Sequence, residues 1–177
     1  MSISDAARRE DKKRTLLTMF REVGDGRAWE VHFDAGEPVV VETLQTTWRE
    51  LLDERLIDDK PSSMNHPQYR LTYYGWLRAL IVSGDVDAPE VRERCVRLAK
   101  ALKRVVKGRE SHYDEFASVD AIATDAGLPE GWVVNAIESK LLGVVFRDDK
   151  WDAQTEGRNM IRVSPTFGLN HLFDEED

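Results

Sequence analysis

The stretch Ser118-Val119-Asp120-Ala121-Ile122-Ala123-Thr124-Asp125-Ala126-Gly127-Leu128-Pro129 decides how the second half of this chain is read. Ser118 and Asp120 are helix-capping residues, whose side-chain oxygens accept from the N–H groups that a first turn leaves without partners. They open a short helix through Ile122 and Ala123. Gly127-Leu128-Pro129 ends it in a tight turn, since glycine tolerates left-handed backbone and proline cannot continue a helix. Beyond the turn, Val133, Val134, Ile137 and Leu141 recur at helical spacing and line a further helix. Val144, Val145 and Phe146 then suggest a strand, residues 148 to 159 a long polar loop, and Ile161 and Val163 a returning strand.

Immediately upstream lies the most regular periodic segment of the chain, residues 89 to 107. Pro89 sits at the favoured first helical position. Val91, Cys95, Leu98, Leu102 and Val105 alternate spacings of four and three, which draws an apolar seam along one side. The rest of its surface is basic: Arg92, Arg94, Arg97, Lys100, Lys103, Arg104 and Lys107, with Arg109 just after. The seam is too short for a free coiled coil, so it is expected to pack against a domain or against a second copy.

The N-terminal part has the same ingredients. Ser4 or Asp5 caps a helix whose Leu16, Leu17, Phe20 and Val23 share a face, and Gly24 ends it. Trp29, Val31 and Phe33 alternate with polar residues, which predicts a strand, followed by a turn through Pro38. Val41, Leu44, Trp48, Leu51, Leu52 and Leu56 predict a second amphipathic helix. A polar loop leads to Tyr69, Leu71 and Tyr73 at alternate positions, a short strand, and then to an apolar helix from Trp76 to Val82 closed by Gly84.

Placed side by side, the halves repeat an order. Leu51-Leu52-Asp53-Glu54-Arg55-Leu56-Ile57, a loop and Tyr69-Arg70-Leu71-Thr72-Tyr73-Tyr74-Gly75 correspond to Ile137-Glu138-Ser139-Lys140-Leu141-Leu142-Gly143, a loop and Ile161-Arg162-Val163-Ser164-Pro165-Thr166-Phe167-Gly168. Both halves resemble the winged helix-turn-helix superfamily, and Ala123-Thr124-Asp125-Ala126-Gly127-Leu128 is similar to that motif's tight turn. The resemblance spans residues 5 to 84 and 110 to 170. It departs from the pattern at residues 27 to 41, which read as strand and turn where the family has its middle helix. The expected architecture is mainly α with small β-hairpin wings (α+β): a first winged-helix domain at 1–88, a basic connecting helix at 89–109, and a second winged-helix domain with an acidic tail at 110–177.

Charge divides the chain in the same way. The net charge of -8 conceals 12 basic and 16 acidic residues in 1–88, 8 basic and 2 acidic in 89–109, and 5 basic and 15 acidic in 110–177. With 41% hydrophobic and 33% charged residues the composition is that of a folded protein. No apolar run approaches a membrane span, and no secretory signal follows the basic residues near the N-terminus, so a cytoplasmic protein that does not bind membranes is expected. Cys95 is the only cysteine, which fits a reducing compartment. His32, His66, His112 and His171 are scattered without ligand spacing, and no metal or cofactor is expected. Without a Gly-rich phosphate loop, a nucleophile elbow or a paired-cysteine motif, the chain is expected to be non-enzymatic.

What the resemblance implies is DNA binding, with the last helix of each motif in the major groove and the wing on phosphate. The expected contacts are Arg92, Arg97, Lys100, Lys103, Arg104, Lys107 and Arg109 on the basic helix, Asn135 to an adenine edge, Lys140 to phosphate, and Lys150 and Arg158 from the wing. The homodimer seam would be Val91, Cys95, Leu98, Leu102 and Val105. An alternative is a protein-interaction module, similar to the acidic tandem winged-helix subunits that embrace the linker protein of condensin-like complexes, with a protein partner held on acidic faces. A third reading of the basic helix is that its cations balance the acidic segments beside it.

Overall fold

The computed structural model describes residues 4–34, 45–60, 67–106, 113–147 and 152–164. The chain divides into two compact units, Met1–Val86 and Asp87–Asp177. Among the described residues there are seven α-helices and two three-stranded antiparallel sheets, a mixed α+β protein.

In the first unit, α1 (Asp5–Val23) begins at Ser4, whose side chain accepts from the Ala7 N–H, and ends at Gly24 with φ 51°. Its buried face, with Leu16, Met19 and Val23, packs against α2 (Gln45–Asp53) and α3 (Tyr73–Ser83). A short 3-10 helix, Ala28–Glu30, leads to β1 (Phe33–Asp34). β2 (Ile57–Lys60) and β3 (Gln68–Leu71) complete a sheet of order β1-β3-β2. The register sets Phe33 opposite Tyr69 and Ile57 opposite Leu71. Alternation along the strands therefore sends Phe33, Ile57 and Leu71 into the core, where each is at most 5% exposed. Trp48 of α2 stacks on Tyr69 with centroids 4.5 Å apart, which ties the helix to the hairpin.

Several boundaries differ from the sequence expectation. The strand read at Trp29–Phe33 shrinks to two residues, because its first half winds into the 3-10 helix. Helix α2 covers Gln45–Asp53; residues 41–44 lie outside the described residues, and Leu56 belongs to the turn that follows, where Arg55 has φ 57°. Tyr73 opens α3 instead of extending the strand. The Thr72 hydroxyl accepts from the Gly75 N–H and itself donates to the Arg55 carbonyl at 2.7 Å, so one side chain caps the helix and pins it to the turn.

The second unit opens with α4 (Pro89–Val106), followed by β4 (Glu115–Ser118), α5 (Val119–Ala126), α6 (Glu130–Glu138), α7 (Leu141–Phe146), β5 (Ala153–Glu156) and β6 (Met160–Val163). The α5 and α6 pair forms as the sequence predicts, with Ser118 accepting from the Ala121 N–H and Gly127 in left-handed backbone at φ 61°. Its sheet has the order β4-β6-β5, so in both units the last strand is central.

Three expectations change here. Val144–Phe146 is helical, not a strand: a short apolar run satisfies either period, and left-handed Lys140, φ 58°, lets the chain leave α6 and start a new turn. The hairpin is instead built inside the segment read as a polar loop, with Ala153 opposite Val163 and the turn at Gly157-Arg158-Asn159. The basic helix read as a joint between domains lies inside the second unit, packed against α5, α7, β4 and β6.

Candidate functional site

Helix α4 carries most of the residues expected to meet phosphate, and its burial is decided by its seam. Cys95, Leu98 and Leu102 are 0% exposed, with Ala99 and Ala101 beside them at no more than 1%. Val91 and Val105 at the two ends are half-buried. The seam is thus filled by the second unit's own helices and strands. The expectation that it holds a second copy is corrected for Cys95, Leu98 and Leu102: side chains with no surface left have none to offer a partner, and the alternative of packing against a domain describes them.

The cations of α4 reach inward along its flanks. Arg97 donates from Nη1 to the Gly127 carbonyl at 3.1 Å, the C-terminal end of α5, where free carbonyls favour a positive charge. Its Nε lies 3.8 Å from Glu93. Arg104 pairs with Asp125 at 2.7 Å. The Arg94 guanidinium sits over the Trp132 ring, 5.6 Å from the centroid, and Arg92 over Phe146 at 5.5 Å. Arg92 and Arg104 remain exposed, while Lys100 and Lys103 are half-buried and also engaged. Lys107, Arg109 and Lys150 lie outside the described residues.

Around the α5–α6 turn the expected reading surface is closed. Every residue of α6 from Gly131 to Ile137 is buried against α5, α7 and β5. Asn135, expected to meet an adenine edge, is 0% exposed and engaged within the protein. That assignment is corrected: α7 and the neighbouring elements cover the face that was to enter a groove. Trp132 is 5% exposed, a packed residue under Arg94. Lys140 and Arg158 are exposed, the first at the α6–α7 junction and the second in the hairpin turn.

The first unit uses its basic N-terminal residues in the same manner. Lys12 bonds Glu54 and lies 4.0 Å from Glu50; Arg8 is 3.8 Å from Glu50; the Thr47 hydroxyl donates to Asp11 at 2.6 Å. The acidic face of α2 is thereby matched by α1, and its exposed residues are Gln45, Thr46, Arg49 and Asp53.

Two groups have shifted acidity. Burial pushes the Cys95 thiol up from 9.0 to about 12, with Arg92 pulling weakly the other way. Burial first, and Asp59 second, raise the Tyr69 phenol above its ordinary value. Neither group has the exposed, electropositive setting that makes a nucleophile. Among the described residues no cluster of His, Cys, Asp or Glu is placed to hold a metal ion, and no helix is long and apolar enough to cross a membrane.

Residues that the sequence reading passed over stand out on the surface. Phe116 is 54% exposed and Met160 39%, both on the solvent side of the second sheet. Phe116 falls in a four-residue strand too short for alternation to reveal, so only the strand register shows which way it faces. Comparison with known proteins gives no match: no protein-family model, no curated protein and no solved structure matches this chain.

Proposed function

We propose that the chain is a tandem winged-helix protein that acts as a protein-interaction module. The winged-helix reading is supported by the like order of the two units: a helix, a strand, a helical stretch (α2 among the described residues of the first unit, α5, α6 and α7 in the second), then a hairpin whose second strand pairs between the first two. In this reading α4 is the opening helix of the second domain, the counterpart of α1, and not a linker.

The burial of α6 from Gly131 to Ile137 carries the functional half of the proposal. A winged helix that binds DNA offers this helix to the major groove, and here its side chains are spent on the unit's own core. The ion pairs and cation–π contacts of α4 support the same conclusion, since cations already matched within the unit release less counterion on meeting DNA. The acidic balance of both halves favours a protein with basic surface as partner.

The nucleic-acid reading stands second, favoured by exposed Arg92, Lys140 and Arg158. Titrating a fluorescent duplex into the protein at about 50 and about 200 mM salt separates the two, because phosphate-driven affinity falls by orders of magnitude over that range. No saturable binding at the higher salt and only weak retention at the lower is the expected result. Tight, steeply salt-dependent binding that Lys100→Glu, Lys103→Glu and Arg104→Glu abolish together would overturn it.

A further inference from the structure

The two sheets have the same strand order, so each serves as a control for the other's solvent face. In the first, the register puts Asp34, Gln68, Arg70 and Asp58 on the side away from the core, a wholly polar surface. In the second, the matching side carries Phe116, Ser118, Met160, Arg162, Gln154 and Glu156. Arginine recurs at the equivalent place, Arg70 beside Asp58 and Arg162 beside Asp114 and Glu156. The difference lies in the apolar residues: Met160 stands where the first sheet has Gln68. Phe116, opposite Arg162, is a diagonal neighbour of Met160 within side-chain reach across the ladder. Large apolar side chains exposed together on one domain and absent from its repeat mark a binding face.

Charge identifies the class of occupant. Arg162 donates to Asp114 at 3.1 Å and approaches Glu156 at 3.4 Å, so one cation lies between two carboxylates and the face keeps an excess of negative charge. Residues 87–177 carry 13 basic and 18 acidic side chains, which extends that excess over the unit. The outer edge of β5 is already partly occupied, because Glu138 accepts from both the N–H and the hydroxyl of Thr155. A strand added on the β5 side would need that edge, whereas a helix lies across a sheet face and needs neither edge.

Resting on the reading as an interaction module, we propose that the solvent face of β4-β6-β5 receives a basic amphipathic helix of a partner protein. Its apolar side covers Phe116 and Met160, and its lysines or arginines meet Asp114 and Glu156. The test titrates a labelled Leu/Lys amphipathic helical peptide, and its Leu/Glu counterpart, into the isotope-labelled full chain. The proposal expects saturable binding of the Leu/Lys peptide alone, with amide shifts centred on Phe116, Met160 and Arg162. It also expects at least about tenfold weaker binding after Phe116→Thr with Met160→Gln, at unchanged circular dichroism. Met160→Gln alone replaces the pair if the double variant loses structure.

Absence of binding, equal binding of both peptides, shifts centred elsewhere or indifference to the substitutions would each overturn it. So would a dimer of the free chain in sedimentation that the same substitutions dissolve, since the face would then belong to a second copy. Failure of this test together with failure to bind duplex removes the face and leaves the interaction reading standing. Tight duplex binding removes the reading itself.

Discussion

Gly75 shows how one residue fixes the approach of two elements. A Cβ at this position would fall far inside van der Waals contact of the Leu56 carbonyl oxygen, which is backbone and has nowhere to go. Gly75→Ala is therefore expected to destabilise the protein by more than about 2 kcal/mol in urea unfolding. Gly84 has open space around it but left-handed backbone at φ 85°, so Gly84→Ala should cost only about 1 kcal/mol. Equal costs would refute the steric account. Cys95 makes a different prediction. Its folded acidity constant is raised above the unfolded one, so the unfolded chain loses the proton first as pH climbs. The stability its burial gives is complete below about pH 9 and drains away as pH rises towards about 12. Unfolding midpoints of the wild type and Cys95→Ala should accordingly converge between pH 8 and the highest pH the fold survives; parallel curves would contradict the assignment. A thiol reagent should label Cys95 only after unfolding.

At the scale of elements, α4 separates what the sequence could disclose from what it could not. The seam of Val91, Cys95, Leu98, Leu102 and Val105 was legible, as were the capped helices at Ser4 and Ser118 and the glycine stops, because periodicity and capping are local. What fills the seam was not legible, since α5, α7, β4 and β6 come from distant sequence. The run Leu141–Phe146 fits either period and resolves into a helix only through left-handed backbone at Lys140. The alternation of Ile161 and Val163 disclosed the strand Met160–Val163, whereas its partner Ala153–Glu156 is too brief to announce itself amid polar residues. For the candidate site, residue types were legible while their direction was not: arginine on a helix reads the same whether it faces phosphate or lies over Trp132. Leu98→Ala should destabilise the second unit by about 2–5 kcal/mol, measured by chemical denaturation, because it opens a cavity in a filled seam. Arg104→Ala, which breaks a half-exposed pair with Asp125, should cost no more than about 1 kcal/mol. A small loss at Leu98 would mean that the seam is not packed.

Over the whole molecule, two units of like strand order differ in what they show to solvent. The first covers its acidic helix with α1 cations and keeps its sheet face polar. The second encloses α6, draws the basic coat of α4 around its own helices, and leaves Phe116 and Met160 outside. The cations behind the uneven charge have partners inside the second unit: Arg104 meets Asp125, Arg97 the Gly127 carbonyl, and Arg92 and Arg94 the rings of Phe146 and Trp132. Native-state hydrogen exchange of the full chain tests this most directly. If α4 is the opening helix of the second unit, the amides of Leu98 to Leu102 exchange as slowly as those of Val133 to Ile137 in α6, both limited by opening of that unit's core. Exchange of the α4 amides orders of magnitude faster than α6, as in a solvated connector, would contradict the account.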